Sequence, residues 1–319
     1  MRATWSWTRV LTGAVVLALV AWWTGTGPFL HGLRSLDLTT LALGALIAVP
    51  TTVACAWRWH LVAAGLGVGV HLRRAVADCY RAQLLNVTLP GGVLGDVHRG
   101  VRHGLASDAL GRGLRSVLWE RVAGQVVQAV LVVVVLALLP SPFRGALPAL
   151  LALLVVAAVT AGLLLRHGRP SSGTRIGRAL HLLRGDLRDG LAARHTWPGV
   201  VVASVLAVGG HVATFLVAAR AVGVAMPLTT LLPLVLVVLV AAGLPLNLAG
   251  WGPREGMAAW TFAAAGLGAG QGVAAAVAYG AIVLVASLPG ALVLLASGRA
   301  RPAVLEGSDD AWPSARTPS

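Results

Sequence analysis

The chain has 319 residues, of which 57% are hydrophobic and only 11% are charged. A soluble globular domain carries about 25% charged residues, so this composition excludes an ordinary soluble protein and also a disordered one. The chain has 25 basic residues, all of them arginine, against 11 acidic residues, for a formal charge of +14. Such a charge often indicates nucleic-acid binding. Here the high fraction of hydrophobic residues favours another explanation, in which the arginines lie in the loops of a polytopic membrane protein. We therefore expect membrane lipids as partners and no nucleic acid.

Seven apolar stretches have about the 20 residues that a transmembrane helix needs. They are 10–26, 38–64, 117–139, 147–165, 198–219, 229–248 and 273–297. Two shorter apolar segments, 75–89 and 249–267, are interrupted or followed by glycine and proline. We predict that the first is a re-entrant hairpin and that the second crosses the membrane as a broken helix. The predicted fold is therefore an all-α polytopic membrane protein with about eight crossings and broken or re-entrant helices.

The arginines are distributed unevenly between the predicted loops. Most lie in 73–115, in 166–194 and after residue 298, which all fall on the same side of the predicted spans. The positive-inside rule then predicts that both termini lie in the cytoplasm. Because richness in alanine, glycine, valine, leucine and arginine suggests a GC-rich bacterial genome, we expect a protein of the bacterial inner membrane. Apolar residues recur at spacings of three and four within 173–195, which predicts an amphipathic helix on the cytoplasmic surface. We expect residues 1–298 to form the membrane domain and 299–319 to be a disordered cytoplasmic tail.

Two segments, 86–99 and 243–256, share an unusual pattern. In each, an asparagine lies near a Leu-Pro pair, glycines follow, and an acidic residue and an arginine come last. The residues predicted to break the helices are Pro90, Gly91, Gly92, Gly95, Pro245, Gly250, Gly252 and Pro253. Corresponding interrupted segments in two halves of a chain indicate a substrate site near the bilayer midplane and are compatible with an inverted repeat.

The chemistry of these segments suits an anionic ligand. Helix breaks free backbone polar groups, which hydrocarbon tolerates only where they line a protein cavity. Each helix that resumes after a break presents the positive end of its dipole. We predict that Arg99 and Arg254 bind a headgroup phosphate. Asp96 and Glu255 would pair with these arginines in the empty site or bind a cationic headgroup. Taken singly, such breaks and pairs are also explained as helix kinks and interfacial anchors.

Further polar residues complete the predicted binding site. Asn86 and Asn247 are predicted to hold the broken helix ends through backbone hydrogen bonds. Glu120 and Arg121, at the start of the 117–139 span, would form a pair that faces the bundle, with surface anchoring as the alternative. His211, inside the 198–219 span, is interpreted as a hydrogen-bonded buried histidine, with a proton relay as the alternative.

Catalytic and metal-binding motifs are missing from the sequence. The two cysteines, Cys55 and Cys79, have no metal-ligand spacing and are interpreted as small buried side chains. We find no nucleophile elbow, no phosphate-binding loop and no zinc-binding helix motif. We therefore expect no cofactor, no metal and no catalytic residue.

Together these motifs resemble a known family. The resemblance rests on Asn86, the Leu-Pro-Gly-Gly of 89–92, Gly95, Asp96, Arg99, the pair Glu120 and Arg121, and the Gly-Trp-Gly-Pro-Arg-Glu-Gly of 250–256. They resemble the flippase-like transmembrane domain of bacterial lysylphosphatidylglycerol synthases and of related stand-alone membrane proteins. The resemblance covers nearly the whole chain up to the tail. In the two-part synthases, such a domain moves aminoacylated phosphatidylglycerol across the bilayer while a separate cytoplasmic domain transfers the aminoacyl group.

The resemblance implies a lipid flippase, for a phospholipid or a lipid-linked intermediate. The residues after Arg299 are too few for a transferase domain, so we do not expect synthase activity. Two other classes stay open: an intramembrane lipid-modifying transferase, and a non-transporting accessory subunit with a partner in cell-envelope biosynthesis. The sequence contains no ATP-binding motif, so active transport would need an ion gradient or a partner.

Overall fold

The computed structural model describes residue 15 and residues 17–89, 92–167, 175–187, 196–244 and 251–299. These residues form helices and no strand, which confirms the all-α prediction. The helices are α1 (Gly27–Arg34), α2 (Leu38–Gly65), α3 (Leu72–Thr88), α4 (Leu94–Ala106), α5 (Leu110–Leu138), α6 (Leu147–His167), α7 (Arg175–Gly185), α8 (Trp197–Ala221), α9 (Leu228–Ala242), α10 (Pro253–Ala264), α11 (Ala269–Ser287) and α12 (Pro289–Arg299). A short 3₁₀ helix, Arg144–Ala146, precedes α6.

Five of the described helical stretches are long and apolar enough to cross a membrane. They are Leu38–Gly65, Leu110–Leu138, Arg144–Leu163, Trp197–Ala221 and Ala269–Ala296. The first predicted span, 10–26, lies partly outside the described residues, and its residues 17–24 are helical. The predicted span 229–248 is shorter in the structure, because α9 ends at Ala242, just before Gly243 and Pro245. Glycine and proline oppose continuation of the helix there.

The first broken segment lies in a helical hairpin whose two arms are α3 and α4, so residues 75–89, which were predicted to form the whole hairpin, make up only its first arm. Helix α3 enters the bundle and α4 returns from it, and the two are packed backbone to backbone. A Cβ built on Gly95 would lie 2.1 Å from the carbonyl oxygen of Ala82, so only glycine allows this approach. The 17 residues of α3 and the 13 residues of α4 rise about 26 and 20 Å, less than the roughly 30 Å of a bilayer core. Each arm is therefore too short to cross alone.

The second broken segment also forms a hairpin, where the sequence predicted two crossings. Helices α9 and α10 have 15 and 12 residues, which rise about 23 and 18 Å. Phe143, just beyond the end of α5, pairs with Trp260 near the end of α10 at a ring-centroid distance of 4.8 Å. The outer end of α10 therefore lies at the end of the bundle where α5 ends.

The inner ends of the two hairpins meet on α5. Asp96, in the first turn of α4, pairs with Arg121 of α5. Gly243, directly after α9, packs against Gln125, since a Cβ on it would lie 2.2 Å from the Gln125 amide nitrogen. Arg121 and Gln125 are one turn apart near the middle of the 29-residue α5. The hairpins thus approach the same point, about halfway along a spanning helix, from opposite ends of the bundle.

The helix order repeats in the two halves of the chain. A long helix, a hairpin and another long helix follow one another as α2, α3–α4 and α5, and again as α8, α9–α10 and α11. Helices α2 and α8 are antiparallel, because Thr51 contacts Gly210 while Leu61 contacts Gly199. The two halves therefore run in opposite directions, which is the arrangement of an inverted repeat.

The predicted amphipathic helix is described over Arg175–Gly185 as α7. Asp186 connects it to α5, accepting hydrogen bonds from Arg115 Nε at 2.6 Å and from Trp119 Nε1 at 3.0 Å. Residues 188–195 and the tail after Arg299 lie outside the described residues.

Candidate functional site

A cavity of about 310 Å³ lies where the two hairpins meet. Its walls come from α2, α3, α4, α5, α8, α9, α10 and α11, so both halves of the chain contribute. The charged residues that line it are Arg58, Arg99, Arg121, Arg254, Asp96 and Glu120. Its uncharged polar walls include Thr51, Thr52, Gln83, Asn86, Gln125, Gln128, His211, Thr214 and Tyr279. One cavity therefore joins the two broken segments.

Arg99 is the central cation of the first hairpin and is only 5% exposed. Its Nη2 donates to Asp96 Oδ1 and to Glu120 Oε2, each at 3.0 Å, and its Nη1 donates to Cys79 Sγ at 2.9 Å. Its guanidinium carbon lies 4.5 Å from the ring centroid of Trp59, within the range of a cation–π contact. Arg99 is thus fixed by α3, α4, α5 and α2 together.

Asp96 is held by groups on three helices. Its Oδ2 accepts from Arg121 of α5 and from Asn86 Nδ2 of α3, the latter at 2.7 Å. Asn86 Oδ1 in turn accepts from the backbone N–H of Gly95 at 2.8 Å, so Asn86 connects the last turn of α3 to the first turn of α4.

Arg58 belongs to this cluster, although the sequence analysis did not select it. It donates from Nε to Glu120 Oε1 at 2.8 Å and from Nη1 to Ser204 Oγ at 3.3 Å. The signal that could have found it is an arginine inside an otherwise apolar helix, which usually marks a polar interior. Glu120 and Arg121 lie inside α5 rather than at its start, because α5 begins at Leu110. Both side chains line the cavity, where Glu120 pairs with Arg58 and Arg99 and Arg121 pairs with Asp96, rather than with each other.

The second hairpin contributes Arg254 and Glu255. Arg254 Nε donates to Glu255 Oε1 at 2.9 Å, and Glu255 Oε2 accepts from the backbone N–H of Gly252 at 2.6 Å. The fully buried Glu255 therefore caps the start of α10 and also orients the arginine. Gly252 has φ +126°, a backbone conformation that favours glycine.

Aromatic rings enclose the Arg254 guanidinium. Its carbon lies 5.4 Å from the ring centroid of Trp251 and 5.2 Å from that of Tyr279. The Tyr279 hydroxyl and His211 Nδ1 are 3.0 Å apart, so α8 and α11 support this wall. No sequence pattern marks Tyr279 as a site residue, because its position depends on packing between distant helices.

The predicted site residues fall into three groups. Those that line the cavity are Asn86, Gly92, Asp96, Arg99, Glu120, Arg121 and Arg254. Gly95, Gly252, Pro253 and Glu255 are not among the lining residues and lie at the starts of α4 and α10, next to residues that are. Pro90, Gly91, Pro245, Asn247 and Gly250 lie outside the described residues. Across the described part of the chain, no three His, Cys, Asp or Glu side chains form a metal site. The arrangement suits the binding of an anion by arginine side chains.

The family model described as lysylphosphatidylglycerol synthase TM region matches residues 9–290. The match includes both hairpins and every residue that lines the cavity. The chain has no significant match among curated proteins or among solved structures.

Proposed function

The chain belongs to the lysylphosphatidylglycerol synthase TM region family, and on that premise we propose that it is a lipid flippase of the bacterial inner membrane. It moves the polar headgroup of a phospholipid or a lipid-linked intermediate through the cavity while the acyl chains stay in the bilayer. Its termini face the cytoplasm, as the arginine distribution predicts.

The observation that carries this proposal is the arginine-lined cavity halfway along α5. A headgroup that crosses a bilayer loses its hydration in the hydrocarbon core, and this loss is the main barrier to spontaneous flipping. Arg99, Arg121 and Arg254 offer guanidinium groups that can replace water around a phosphate. The apolar side chains of Leu239, Ile282 and Val283 in the same wall suit the glycerol and the first methylene groups.

The opposed hairpins support alternating access to this cavity. Transporters built from inverted repeats hold the substrate near the midplane between broken helices and open alternately to either face. Here the α3–α4 hairpin closes the cavity from one end of the bundle and the α9–α10 hairpin closes it from the other. Displacing one hairpin at a time would expose the same arginines to each leaflet in turn.

Arg254→Ala tests the function and the site together. The purified full chain is reconstituted into liposomes that contain phosphatidylglycerol with a fluorescent acyl chain, and dithionite bleaches the label in the outer leaflet. We expect the wild type to make the inner-leaflet label accessible and Arg254→Ala to reduce this rate to that of protein-free liposomes. The matched control is Arg144→Ala, because among the described residues the side chain of Arg144 donates only to the carbonyls of Leu136 and Ala137.

The outcomes separate the site from the function. Thermal unfolding in detergent establishes that each variant is folded. A wild-type rate in folded Arg254→Ala would exclude this arginine from the site. Failure of the folded wild type to move the labelled lipid would contradict a flippase for phosphatidylglycerol. Covalent conversion of the lipid during the assay would favour the transferase alternative.

A further inference from the structure

The ionisable side chains around the cavity do not balance in charge. Four arginines take part, namely Arg58, Arg99, Arg121 and Arg254. Their carboxylate partners are Asp96, Glu120 and Glu255. Four cations against three anions leave one positive charge without a counter-ion among the described residues. The other ionisable residue types that line the cavity, cysteine, histidine and tyrosine, are neutral or cationic at neutral pH and do not supply a negative charge.

The three carboxylates are already engaged. Asp96 accepts from Arg99, Arg121 and Asn86. Glu120 accepts from Arg58 and Arg99. Glu255 accepts from Arg254 and from the backbone N–H of Gly252. A cationic amine in the cavity would have to compete with a guanidinium group for each of these carboxylates, and it would add to the existing positive charge.

Donor groups, by contrast, remain available. Arg99 Nε is buried and makes no hydrogen bond within the described part of the chain. Arg121 is 38% exposed at its side chain although it lines the cavity, and Asp96 is its one carboxylate partner among the described residues. The helices α4 and α10 both begin beside the cavity, with the positive ends of their dipoles toward it. Each of these features favours an anion.

We infer that the cavity selects lipids whose headgroup has one net negative charge, as in phosphatidylglycerol, and disfavours cationic aminoacylated headgroups. This inference rests on the proposed flippase function and narrows its substrate class. A phosphodiester without an amine compensates the surplus arginine charge completely. A zwitterionic headgroup leaves that surplus in place, and a lysylated headgroup increases it. Because an uncompensated charge in a low-dielectric interior is unfavourable, occupancy follows this order.

Transport of three lipids with different headgroup charges tests the selectivity. Phosphatidylglycerol, phosphatidylethanolamine and lysylphosphatidylglycerol, each with the same fluorescent acyl chain, are compared in phosphatidylcholine liposomes that contain the full chain. We expect phosphatidylglycerol to move at least about tenfold faster than lysylphosphatidylglycerol, which is the effect of one charge-assisted hydrogen bond. Phosphatidylethanolamine should lie between them.

Gln125→Glu tests whether the surplus charge causes the selectivity. Gln125 lines the cavity one turn from Arg121, so a carboxylate there cancels the unbalanced arginine without removing any existing contact of Arg99 or Arg254. We expect the advantage of phosphatidylglycerol over lysylphosphatidylglycerol to fall by about tenfold. The matched control, Gln271→Glu on α11, makes the same chemical change at an exposed residue outside the cavity lining and should leave the selectivity unchanged.

Binding is measured separately, so that a failure of transport does not hide the selectivity. Native mass spectrometry of the detergent-solubilised chain, with the three lipids in equimolar mixture, should show phosphatidylglycerol as the main adduct.

Selective binding without any transport would contradict the proposed function and support the inference. Equal binding, or a preference for lysylphosphatidylglycerol, would overturn the inference even if lipids are flipped. Displacement of phosphatidylglycerol by equimolar inorganic phosphate would also overturn it, by assigning the arginines to a soluble anion.

Discussion

Arg58 of α2 and Glu120 of α5 form a buried ion pair in which Nε and Nη2 both donate to Oε1, at 2.8 and 2.5 Å. Their side chains are only 10% and 4% exposed. Glu120 also accepts from Arg99 of α4 through its other oxygen. One carboxylate therefore connects two spanning helices to the first hairpin and forms ion pairs with two guanidinium groups.

Glu120→Gln should destabilise the protein strongly. The variant keeps the shape of the side chain but removes its charge. Arg58 then has no carboxylate partner, and Arg99 keeps only one of its two carboxylate partners, Asp96. Removing one partner of a buried pair typically costs about 3–5 kcal/mol, because the remaining charge stays buried. We expect a loss of this size in the free energy of unfolding, measured by denaturant titration in detergent micelles. The double variant Arg58→Met with Glu120→Gln should recover part of the loss, and unchanged stability of Glu120→Gln would contradict the pairing.

Gly280→Ala should impair transport through Arg254. A Cβ on Gly280 would lie 2.4 Å from Arg254 Nη2, so the guanidinium has to leave its position between Trp251 and Tyr279. We expect a flipping rate close to that of Arg254→Ala, with overpacking costing about 1–3 kcal/mol of stability. Gly209→Ala on α8 is the matched control, because a Cβ there meets no atom within 4 Å.

A double-mutant cycle distinguishes displacement of the arginine from general damage. If Gly280→Ala acts only by moving Arg254, it should have no further effect on the flipping rate when Arg254 is already alanine. An additive loss in the double variant would show that Gly280 matters for another reason.

The fold was predictable as far as local patterns determine it. Hydrophobic length identifies spans such as Leu110–Leu138, and glycine with proline identifies where the hairpins break. The depth of the second hairpin was not predictable in this way. A continuous apolar run up to Leu248 looks like a full span, and only the observed end of α9 at Ala242 shows that the break comes earlier.

The site was predictable only where its residues lie in the broken segments. Asp96, Arg99 and Arg254 stand out in the sequence because ionisable residues are rare beside apolar runs. Arg58 and Tyr279 join them through packing between helices that are far apart in sequence, and the periodicity of a single helix does not reveal such contacts. The sequence left open whether Glu120 faces the bundle or the surface, and its contacts with Arg58 and Arg99, which lie on other helices, place it at the cavity.

The depth at which the second hairpin turns within the membrane can be tested by cysteine labelling at Leu244. Cysteines are introduced singly at Gly69, Gly145 and Leu244 in a chain whose native Cys55 and Cys79 are replaced by alanine. Gly69 and Gly145 lie beyond opposite ends of the bundle, and a side chain at either meets no atom within 4 Å. A large impermeant maleimide should label them from opposite sides of the membrane, Gly69 from the cytoplasm if the arginine distribution sets the orientation.

A cysteine at position 244 should react differently from those at positions 69 and 145, although the side chain of Leu244 is 45% exposed in the structure. It follows Gly243, which packs against Gln125 near the middle of α5, so it lies at the depth of the cavity rather than in a loop. We expect the impermeant maleimide to label Leu244→Cys from neither side of intact vesicles, and to label it once detergent is added. Had α9 continued as a full span to residue 248, this cysteine would lie near the cytoplasmic surface and react like that at position 69. Rapid labelling from the cytoplasmic side would therefore contradict the hairpin in favour of two crossings, and it would place Arg254 at a different depth from the cavity that it lines together with Arg99.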